Sequence, residues 1–350
     1  MKRFTVRIAL GIASVTVTLA VLEAAVRLCA PQRTAAAPPG SSAYQTTPYE
    51  DVGTRLRPST RFRAVKVKAD GGPCYDVVYS ADEHGRRVVG APRERAADRP
   101  RLALFGCSFT FGEGLPDEET LSHRLGEHFE VFDYAMHGYG PQQTLNLIRK
   151  GVIERELPEG KTLGLYVLYH FHLSRAVLGA KDPWLWKSAF YELDEDGRLV
   201  ERPPIHLAEP LRFRLYGAIE RVVETSQLAR MIRTRAPLSP RRAELTAAIL
   251  IDAARRFEEE RRGPFAVGVI NRGSDGEGVD ELVRRLRAAG VTVLDEGAIP
   301  KGEYDTVCAG DGHPSARFIA ELSRRLTPQL RTLATADEGA AKLPAAGRSR

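Results

Sequence analysis

Ser108 is the residue of this chain whose type and position best suit nucleophilic chemistry. Four apolar residues, Leu102 to Phe105, precede it, too few for a helix but enough for a short buried strand. Gly106 then lets the backbone turn sharply, and side chains after such a turn face the crevice where open α/β sheets bind ligands. The sequence therefore makes Ser108 a candidate nucleophile, although serines after strands also act as turn or capping residues.

Asp311 and His313, near the other end of the chain, have the types that a serine nucleophile requires. A serine hydroxyl attacks poorly unless an adjacent base takes its proton. The imidazole of His313 is suited to that task because histidine titrates near neutral pH. Asp311 could accept a hydrogen bond from the second ring nitrogen and stabilise the imidazolium. The same residues also suit a simple turn and cap, since Pro314 is typical of a helix start.

Both segments resemble known motifs. Residues 106–112 (GCSFTFG) resemble block I of the SGNH/GDSL hydrolases, and residues 311–314 (DGHP) resemble the last block of that family. The resemblance implies a flavodoxin-like three-layer α/β/α fold and a serine esterase without cofactor or metal, with Ser108, His313 and Asp311 as catalytic residues. The chain departs from the family at one point, because many members place the acid three residues before the histidine.

The resemblance also implies an oxyanion hole built from the backbone N–H groups of Ser108 and Gly138. The family's third block normally adds an asparagine, and this chain has His172 in its place, with Arg175 nearby as a substrate-binding candidate. An imidazole can donate a hydrogen bond, so His172 is predicted as the third donor, although the change could equally indicate another substrate or lost activity. His170 and His172 would share one strand face, but without a third ligand at motif spacing no metal is expected.

The four cysteines form no Cys-x-x-Cys pair, which argues against a zinc or redox motif. Cys107, next to the candidate nucleophile, is predicted to be a small buried packing residue. Cys74 and Cys308 could form a disulfide if the domain is exported.

Short apolar segments alternate with amphipathic ones from residue 101 onward, which predicts a parallel sheet covered by helices on both faces. Five strands are expected, at residues 102–105, 131–135, 163–169, 265–270 and 291–294. Helices are expected at residues 118–129, from residue 141, and at residues 241–261, 279–289 and 315–326.

Composition changes divide the chain into five parts: residues 1–30, 31–60, 61–100, 101–330 and 331–350. The first has a basic start and an uncharged stretch from Ile8 to Leu22, which predicts a single-pass transmembrane helix with the remainder outside the cytoplasm, or alternatively a cleaved signal peptide. A flexible linker, a β-rich lead-in, the hydrolase-like domain and a disordered tail follow.

Residues 173–240 interrupt the alternation and are predicted to form an insertion that packs over the site. Trp184 and Trp186 are substrate-binding candidates because aromatic side chains stack on sugar rings and acyl groups, although they could equally form a small satellite core.

The chain of 350 residues has a net charge of +6, but its arginines are scattered among glutamates and no basic stripe favours nucleic-acid binding. The sequence therefore predicts an extracytoplasmic, periplasmic serine esterase acting on an acylated small molecule or an envelope polysaccharide. Two alternatives stay open, an O-acetyltransferase with the same acyl-enzyme chemistry and an inactive module that binds a glycan or a partner. The chain contains no multi-span donor domain, which favours hydrolysis.

Overall fold

The computed structural model describes residues 2–29, 44–49, 52–68, 70–88, 99–177, 187–211, 214–215, 226, 228, 241–261, 263–271, 276–295 and 305–335. The strands are β1 (Thr46–Tyr49), β2 (Gly53–Leu56), β3 (Arg61–Val67), β4 (Pro73–Ser80), β5 (Arg101–Phe105), β6 (Glu130–Asp133), β7 (Thr162–Tyr169), β8 (Phe190–Leu193), β9 (Leu199–Arg202), β10 (Phe265–Asn271) and β11 (Thr292–Asp295). The helices are α1 (Lys2–Cys29), α2 (Ser108–Phe111), α3 (Leu121–Leu125), α4 (Pro141–Arg149), α5 (Val152–Glu156), α6 (His172–Ala176), α7 (Ile205–Ala208), α8 (Arg242–Arg261), α9 (Gly276–Ala288) and α10 (Ala316–Thr335).

The centre of the fold is a parallel sheet of five strands in the order β11-β10-β7-β5-β6. The chain runs from β5 to β6 on one side and then crosses to β7 on the other, so the strand order reverses at β5. In open α/β sheets the crevice at such a reversal, beyond the carboxyl ends of the strands, is where ligands bind. The five predicted strands are confirmed, each within two residues of its expected bounds.

Each face of the sheet is covered by its own layer of buried side chains. Leu102 and Leu104 of β5 belong to a cluster with α3 and α10, whereas Ala103 and Phe105 belong to a larger cluster with α4, α8 and α9. Alternate residues of a strand point to opposite faces, so the apolar run of β5 supplies both layers. The predicted three-layer α/β/α architecture is confirmed.

Two predicted helices differ most from their expected bounds. The helix expected at residues 118–129 is a 3₁₀ turn, Asp117–Glu119, followed by the short α3. Thr120 divides them because its side chain caps α3, accepting from the backbone N–H of His123 at 3.2 Å. At the other end of the chain, α10 continues through Pro328 to Thr335 because buried Leu330 extends its apolar face. The tail predicted from residue 331 is therefore helical at first, and residues 336–350 lie outside the described part.

The lead-in is a set of hairpins packed on the sheet domain. The hairpin predicted within residues 61–100 is confirmed as the antiparallel pair β3–β4. A second pair, β1–β2, lies inside residues 31–60, which were predicted to be a flexible linker. That prediction is wrong for residues 46–56, because Tyr49, Val52 and Leu56 are buried in the main core.

The N-terminal helix α1 has 28 residues and an ion pair between Glu23 and Arg27 near its end. Among the helical residues whose side chains are described, no stretch combines the length and the apolar character that a membrane crossing needs. This finding does not support the transmembrane helix predicted for residues 1–30.

The predicted insertion, residues 173–240, is anchored on α4 through buried polar groups. Gln143 donates to the hydroxyl of Ser188 at 2.8 Å. Asn146 donates to the carbonyl of Ala189 at 2.8 Å and accepts from the hydroxyl of Tyr191 at 2.6 Å. These contacts place residues 188–191 of the insertion against α4, the helix that follows β6.

Candidate active site

The turn after β5 positions Ser108 at the reversal of the sheet. A side chain at Gly106 would lie 2.1 Å from the hydroxyl oxygen of Thr110, so only glycine fits the turn. Cys107 then caps α2, its sulfur accepting from the backbone N–H of Phe109 at 3.5 Å. Ser108 is the first residue of this helix, and it is 7% exposed, so its hydroxyl faces a cavity rather than bulk solvent.

Of the three predicted catalytic residues, His313 lies within hydrogen-bonding distance of both Ser108 and Asp311. The Nε2 atom of His313 is 2.9 Å from the hydroxyl oxygen of Ser108, and its Nδ1 is 2.5 Å from Oδ1 of Asp311. The same carboxylate oxygen accepts from the backbone N–H of His313 at 2.8 Å. This turn explains how an acid only two residues before the histidine can still orient its ring.

The loop that carries Asp311 and His313 is fastened to the lead-in. Cys74 and Cys308, whose pairing the sequence leaves open, form a disulfide that joins β4 to this loop, with Cα atoms 5.3 Å apart. Lys66 of β3 donates to Oδ2 of Asp311 at 2.8 Å. The lead-in therefore contributes directly to the site, rather than preceding it as a separate unit.

Four polar side chains of the site were missed by sequence reasoning: Lys66, Tyr75, Glu113 and His137. The Glu113 carboxylate lies at the centre of this group. Its Oε2 atom is 3.1 Å from Nε2 of His313 and 3.4 Å from Nε2 of His137. Tyr75 donates to Oε1 of Glu113 at 3.2 Å. No motif identifies Glu113, although its place five residues after Ser108, at the end of a one-turn helix, brings its side chain back to the same cavity.

The electrostatics of the site favour a charged histidine between carboxylates. Burial alone would lower the pKa of His313, but hydrogen bonds to Asp311 and Glu113 outweigh it and raise the pKa to about 9. Burial raises the pKa of both carboxyls, yet the hydrogen bond to His313 and the neighbouring positive charges leave both well below their usual range. His137 differs, because burial lowers its pKa to about 4, so this imidazole is neutral at pH 7.

Cys107 is fully buried, and burial raises the pKa of its thiol. Because the thiolate is the reactive form of cysteine, this environment disfavours Cys107 as a nucleophile and agrees with the predicted packing role.

A cavity of about 650 Å³ lies in front of Ser108. Its lining comes from the lead-in, from the loops after β5, β6 and β7, and from the insertion. The lining residues are Tyr44, Gly53, Thr54, Ser108, Phe109, Glu113, His137, Gly138, Tyr139, Gln143, Phe171, Arg175, Lys187, Ser188 and His313. Four of them are tyrosines or phenylalanines, and the lining surface is mostly apolar with a few polar groups, as in small-molecule sites generally.

Gly138, predicted for the oxyanion hole, and Arg175, predicted to bind substrate, both line this cavity. Gly138 has φ +74° in the turn after β6, a conformation that favours glycine. Arg175 donates to the carbonyl of Tyr139 at 2.6 Å, and its guanidinium lies 4.7 Å from the ring centre of Phe171. Trp184 and Trp186 lie outside the described residues.

His172 is fully buried and is not among the lining residues of the cavity, which argues against its predicted role as an oxyanion donor. Strand β7 ends at Tyr169 and His172 begins α6, so His170 and His172 do not share a strand face. The ring of His172 is fully buried with Nδ1 2.8 Å from the hydroxyl of Tyr166, and burial lowers its pKa well below the usual value. Its place is in the core behind the site.

Glu113, Asp311 and His313 offer ligand atoms that lie within 4.8 Å of one another, as a metal site would require. However, both ring nitrogens of His313 face hydrogen-bonding partners, and the Lys66 ammonium already neutralises Asp311. The arrangement therefore suits proton transfer better than metal binding.

No protein-family model and no curated protein matches this chain. Similar solved structures include a protein described as lipolytic and of the G-D-S-L family from Desulfitobacterium hafniense DCB-2, 11% identical with a TM-score of 0.35, covering 66% of this chain and 99% of its own. They also include a protein described as an acylhydrolase from Bacteroides fragilis NCTC 9343, 9% identical with a TM-score of 0.38, covering 70% and 92%. A third is a catalytic mutant of an acetylxylan esterase from Geobacillus stearothermophilus, 9% identical with a TM-score of 0.34, covering 69% and 97%. These descriptions name the ester-hydrolysing class that the two sequence motifs resemble, but similarity at this level carries no argument about activity, which has to come from the site geometry.

Proposed function

We propose that this protein is a serine esterase that hydrolyses acyl esters through an acyl-enzyme intermediate. The observation that supports it is the continuous chain of contacts from Ser108 through His313 to Asp311, at 2.9 and 2.5 Å. The groups of a nucleophile, a base and an orienting acid meet at the edge of the sheet where ligands bind in this class of fold.

Acylation begins when neutral His313 takes the proton of Ser108 while the serine oxygen attacks the ester carbonyl carbon. The resulting tetrahedral intermediate places its negative oxygen near the backbone N–H groups of Ser108 and Gly138, our candidates for the oxyanion hole. The bond to the leaving alkoxide then breaks, and His313 gives its proton to that oxygen. A water molecule then attacks the acyl carbon while His313 takes its proton. The bond to the Ser108 oxygen breaks, His313 returns the proton to that oxygen and the acid leaves, while Asp311 accepts from Nδ1–H throughout.

The cavity supports an acyl group attached to a larger alcohol as the substrate. Its volume of about 650 Å³ exceeds what an acetyl group needs, and rings such as those of Tyr139 and Phe171 suit stacking on a sugar or other flat face. Lys187 and Ser188, supplied by the insertion, add polar groups to the lining. An acylated carbohydrate or a small acyl ester fits this lining.

The disulfide between Cys74 and Cys308 supports a location outside the cytoplasm, because such bonds persist in oxidising compartments. The site that it fastens would then meet its substrate in the cell envelope or beyond.

The test is release of p-nitrophenol from p-nitrophenyl acetate by the full chain, compared with Ser108→Ala and His313→Ala. We expect each variant to lose at least about 1,000-fold in kcat/KM, since removing a nucleophile or its base leaves only residual catalysis. Cys107→Ala is the matched control and keeps near wild-type activity. Loss in Cys107→Ala together with activity in Ser108→Ala would contradict the assignment of the nucleophile.

The same assay with a polysaccharide acceptor separates the alternatives. Acetylation of the acceptor that depends on Ser108 would indicate an acetyltransferase. Absence of both release and transfer would leave a binding module.

A further inference from the structure

The Nε2 atom of His313 faces two oxygen atoms instead of one. The Ser108 hydroxyl lies 2.9 Å away and the Oε2 atom of Glu113 lies 3.1 Å away, both within hydrogen-bonding distance. A neutral base presents a lone pair at this nitrogen and accepts from serine. A protonated ring presents N–H and donates to the carboxylate, because a bond between two charged groups is stronger than one to a neutral hydroxyl. The two partners therefore select opposite protonation states.

The charges around His313 balance only when its ring is protonated. Asp311 and Glu113 contribute two negative charges, with side chains only 3% and 10% exposed. Lys66, whose Nζ lies 2.8 Å from Asp311 and 3.7 Å from Glu113, contributes one positive charge. The imidazolium of His313 supplies the second, so a neutral ring leaves one negative charge in excess.

Three further titratable groups that face this cluster do not change that balance. His137, from the loop after β6, lies 3.4 Å from Glu113 and is neutral at pH 7 because of burial. Tyr75 of β4 donates its hydroxyl hydrogen to Glu113, and burial raises its pKa well above the physiological range. The ring centres of Tyr44 and His137 lie 3.9 Å apart with the rings tilted, and burial raises the pKa of Tyr44 as well.

We infer that Glu113 is a positioning residue that holds a proton on Nε2 of His313 in the resting enzyme and thereby sets the pH above which Ser108 can react. In this state Nε2–H donates to Oε2 of Glu113, and the ring has no lone pair to accept from Ser108. Loss of that proton to solvent frees Nε2 to accept from the serine hydroxyl. The inference rests on the proposed function, since it concerns the base of that reaction.

The same carboxylate assists after the base has acted. Proton transfer from Ser108 makes His313 an imidazolium again, and Glu113 stabilises it at Nε2 as Asp311 does at Nδ1. The pKa of about 9 for His313 agrees with both effects. The enzyme therefore becomes active only at more alkaline pH, and the imidazolium formed during the reaction is more stable.

The test is the pH dependence of kcat/KM for the wild type, Glu113→Gln and Glu113→Ala. An opposite charge at this distance shifts a pKa by about 1 unit or more. We therefore expect the acid limb of both variants to move at least about 1 unit toward lower pH, so that at pH 6.5 each keeps about tenfold more of its own plateau activity than the wild type does. Glu118→Gln, an exposed residue of the neighbouring 3₁₀ turn, makes the same charge change and is expected to leave the limb in place.

An NMR titration of the His313 imidazole, identified by its loss in His313→Asn, tests the same point without turnover. A ring pKa that falls by at least about 1 unit in Glu113→Gln supports the inference even if no esterase activity is found. The failure of the inference and the failure of the proposed function are therefore distinguishable. An acid limb and a ring pKa that both stay in place in Glu113→Gln would overturn the inference. Glu113→Gln retains an oxygen that can accept from Tyr75, so we expect it to fold even if Glu113→Ala does not. The melting temperature of Glu113→Gln verifies that it is folded.

Discussion

His313 links the stability of the fold to pH at the scale of a single residue. Its folded pKa, about 9, exceeds the ordinary histidine value of about 6.5. A group with a raised folded pKa stabilises the protein fully below its unfolded pKa, and this contribution is lost as the pH rises through the folded pKa. The window for this loss runs from about pH 6.5 to about pH 9. The ring therefore stabilises the fold most in the state that cannot act as a base.

The corresponding prediction compares thermal melting of the wild type and Glu113→Gln across that window. We expect the melting temperature of the wild type to fall further between pH 6.5 and pH 9 than that of the variant, because the variant lacks the pair that raises the histidine pKa. Differential scanning calorimetry measures both, and Glu118→Gln is expected to follow the wild type. Parallel curves for all three proteins would contradict this reading.

The elements around the site differ in how far the sequence determines them. Strands β5, β7 and β10 were predictable because each is an uninterrupted apolar run buried on both faces. The end of β7 could not be predicted, because Phe171 and His172 continue an aromatic, strand-like pattern while the backbone already turns into α6. Sequence periodicity does not record that turn, and this is why His172 was assigned to the wrong surroundings.

The catalytic residues were predictable only as far as the motifs extended. Ser108, Asp311 and His313 belong to short recognisable segments. Glu113 and Lys66 belong to no such segment, and Lys66 meets Asp311 across 245 positions of sequence. Contacts of that length depend on how the lead-in packs against the sheet, which no local pattern encodes.

The hairpin β3–β4 and the catalytic loop are coupled as elements by the disulfide, which leads to a second prediction. Replacing both cysteines, Cys74→Ala with Cys308→Ala, should lower the free energy of unfolding by about 2–5 kcal/mol. We also expect faster hydrogen exchange in residues 305–315 and lower kcat. A reductant should reproduce these effects in the wild type and change nothing further in the double variant. Unchanged exchange in this loop would show that Lys66 and the remaining backbone contacts suffice to hold it.

At the scale of the whole molecule, the lead-in and the sheet domain form one body. Arg87 joins them, since its fully buried guanidinium donates to the carbonyls of Phe111 and Gly112 at 2.7 and 2.8 Å. It also lies 4.4 Å from the ring centre of Tyr79 and 4.7 Å from that of Phe111, close enough for cation–π contact. These contacts hold the segment between Ser108 and Glu113 against the lead-in.

The prediction at this scale is a single unfolding transition whose free energy depends on Arg87. Arg87→Lys cannot reproduce the forked set of hydrogen bonds and leaves buried carbonyls unsatisfied, so we expect a loss of about 3 kcal/mol. Urea unfolding followed by far-ultraviolet and near-ultraviolet circular dichroism should give coincident curves in both proteins. Arg57→Lys, at an exposed position, is the matched control. Separate transitions would mean that the lead-in unfolds independently.

The separation of Ser108 and His313 along the chain, 205 positions, has a consequence for biosynthesis. A ribosome completes the nucleophile and most of the pocket wall long before it adds the imidazole. A nascent or C-terminally shortened polypeptide that lacks this loop would therefore have no base for Ser108, and ester cleavage would begin only after the final loop has left the exit tunnel and closed onto the lead-in.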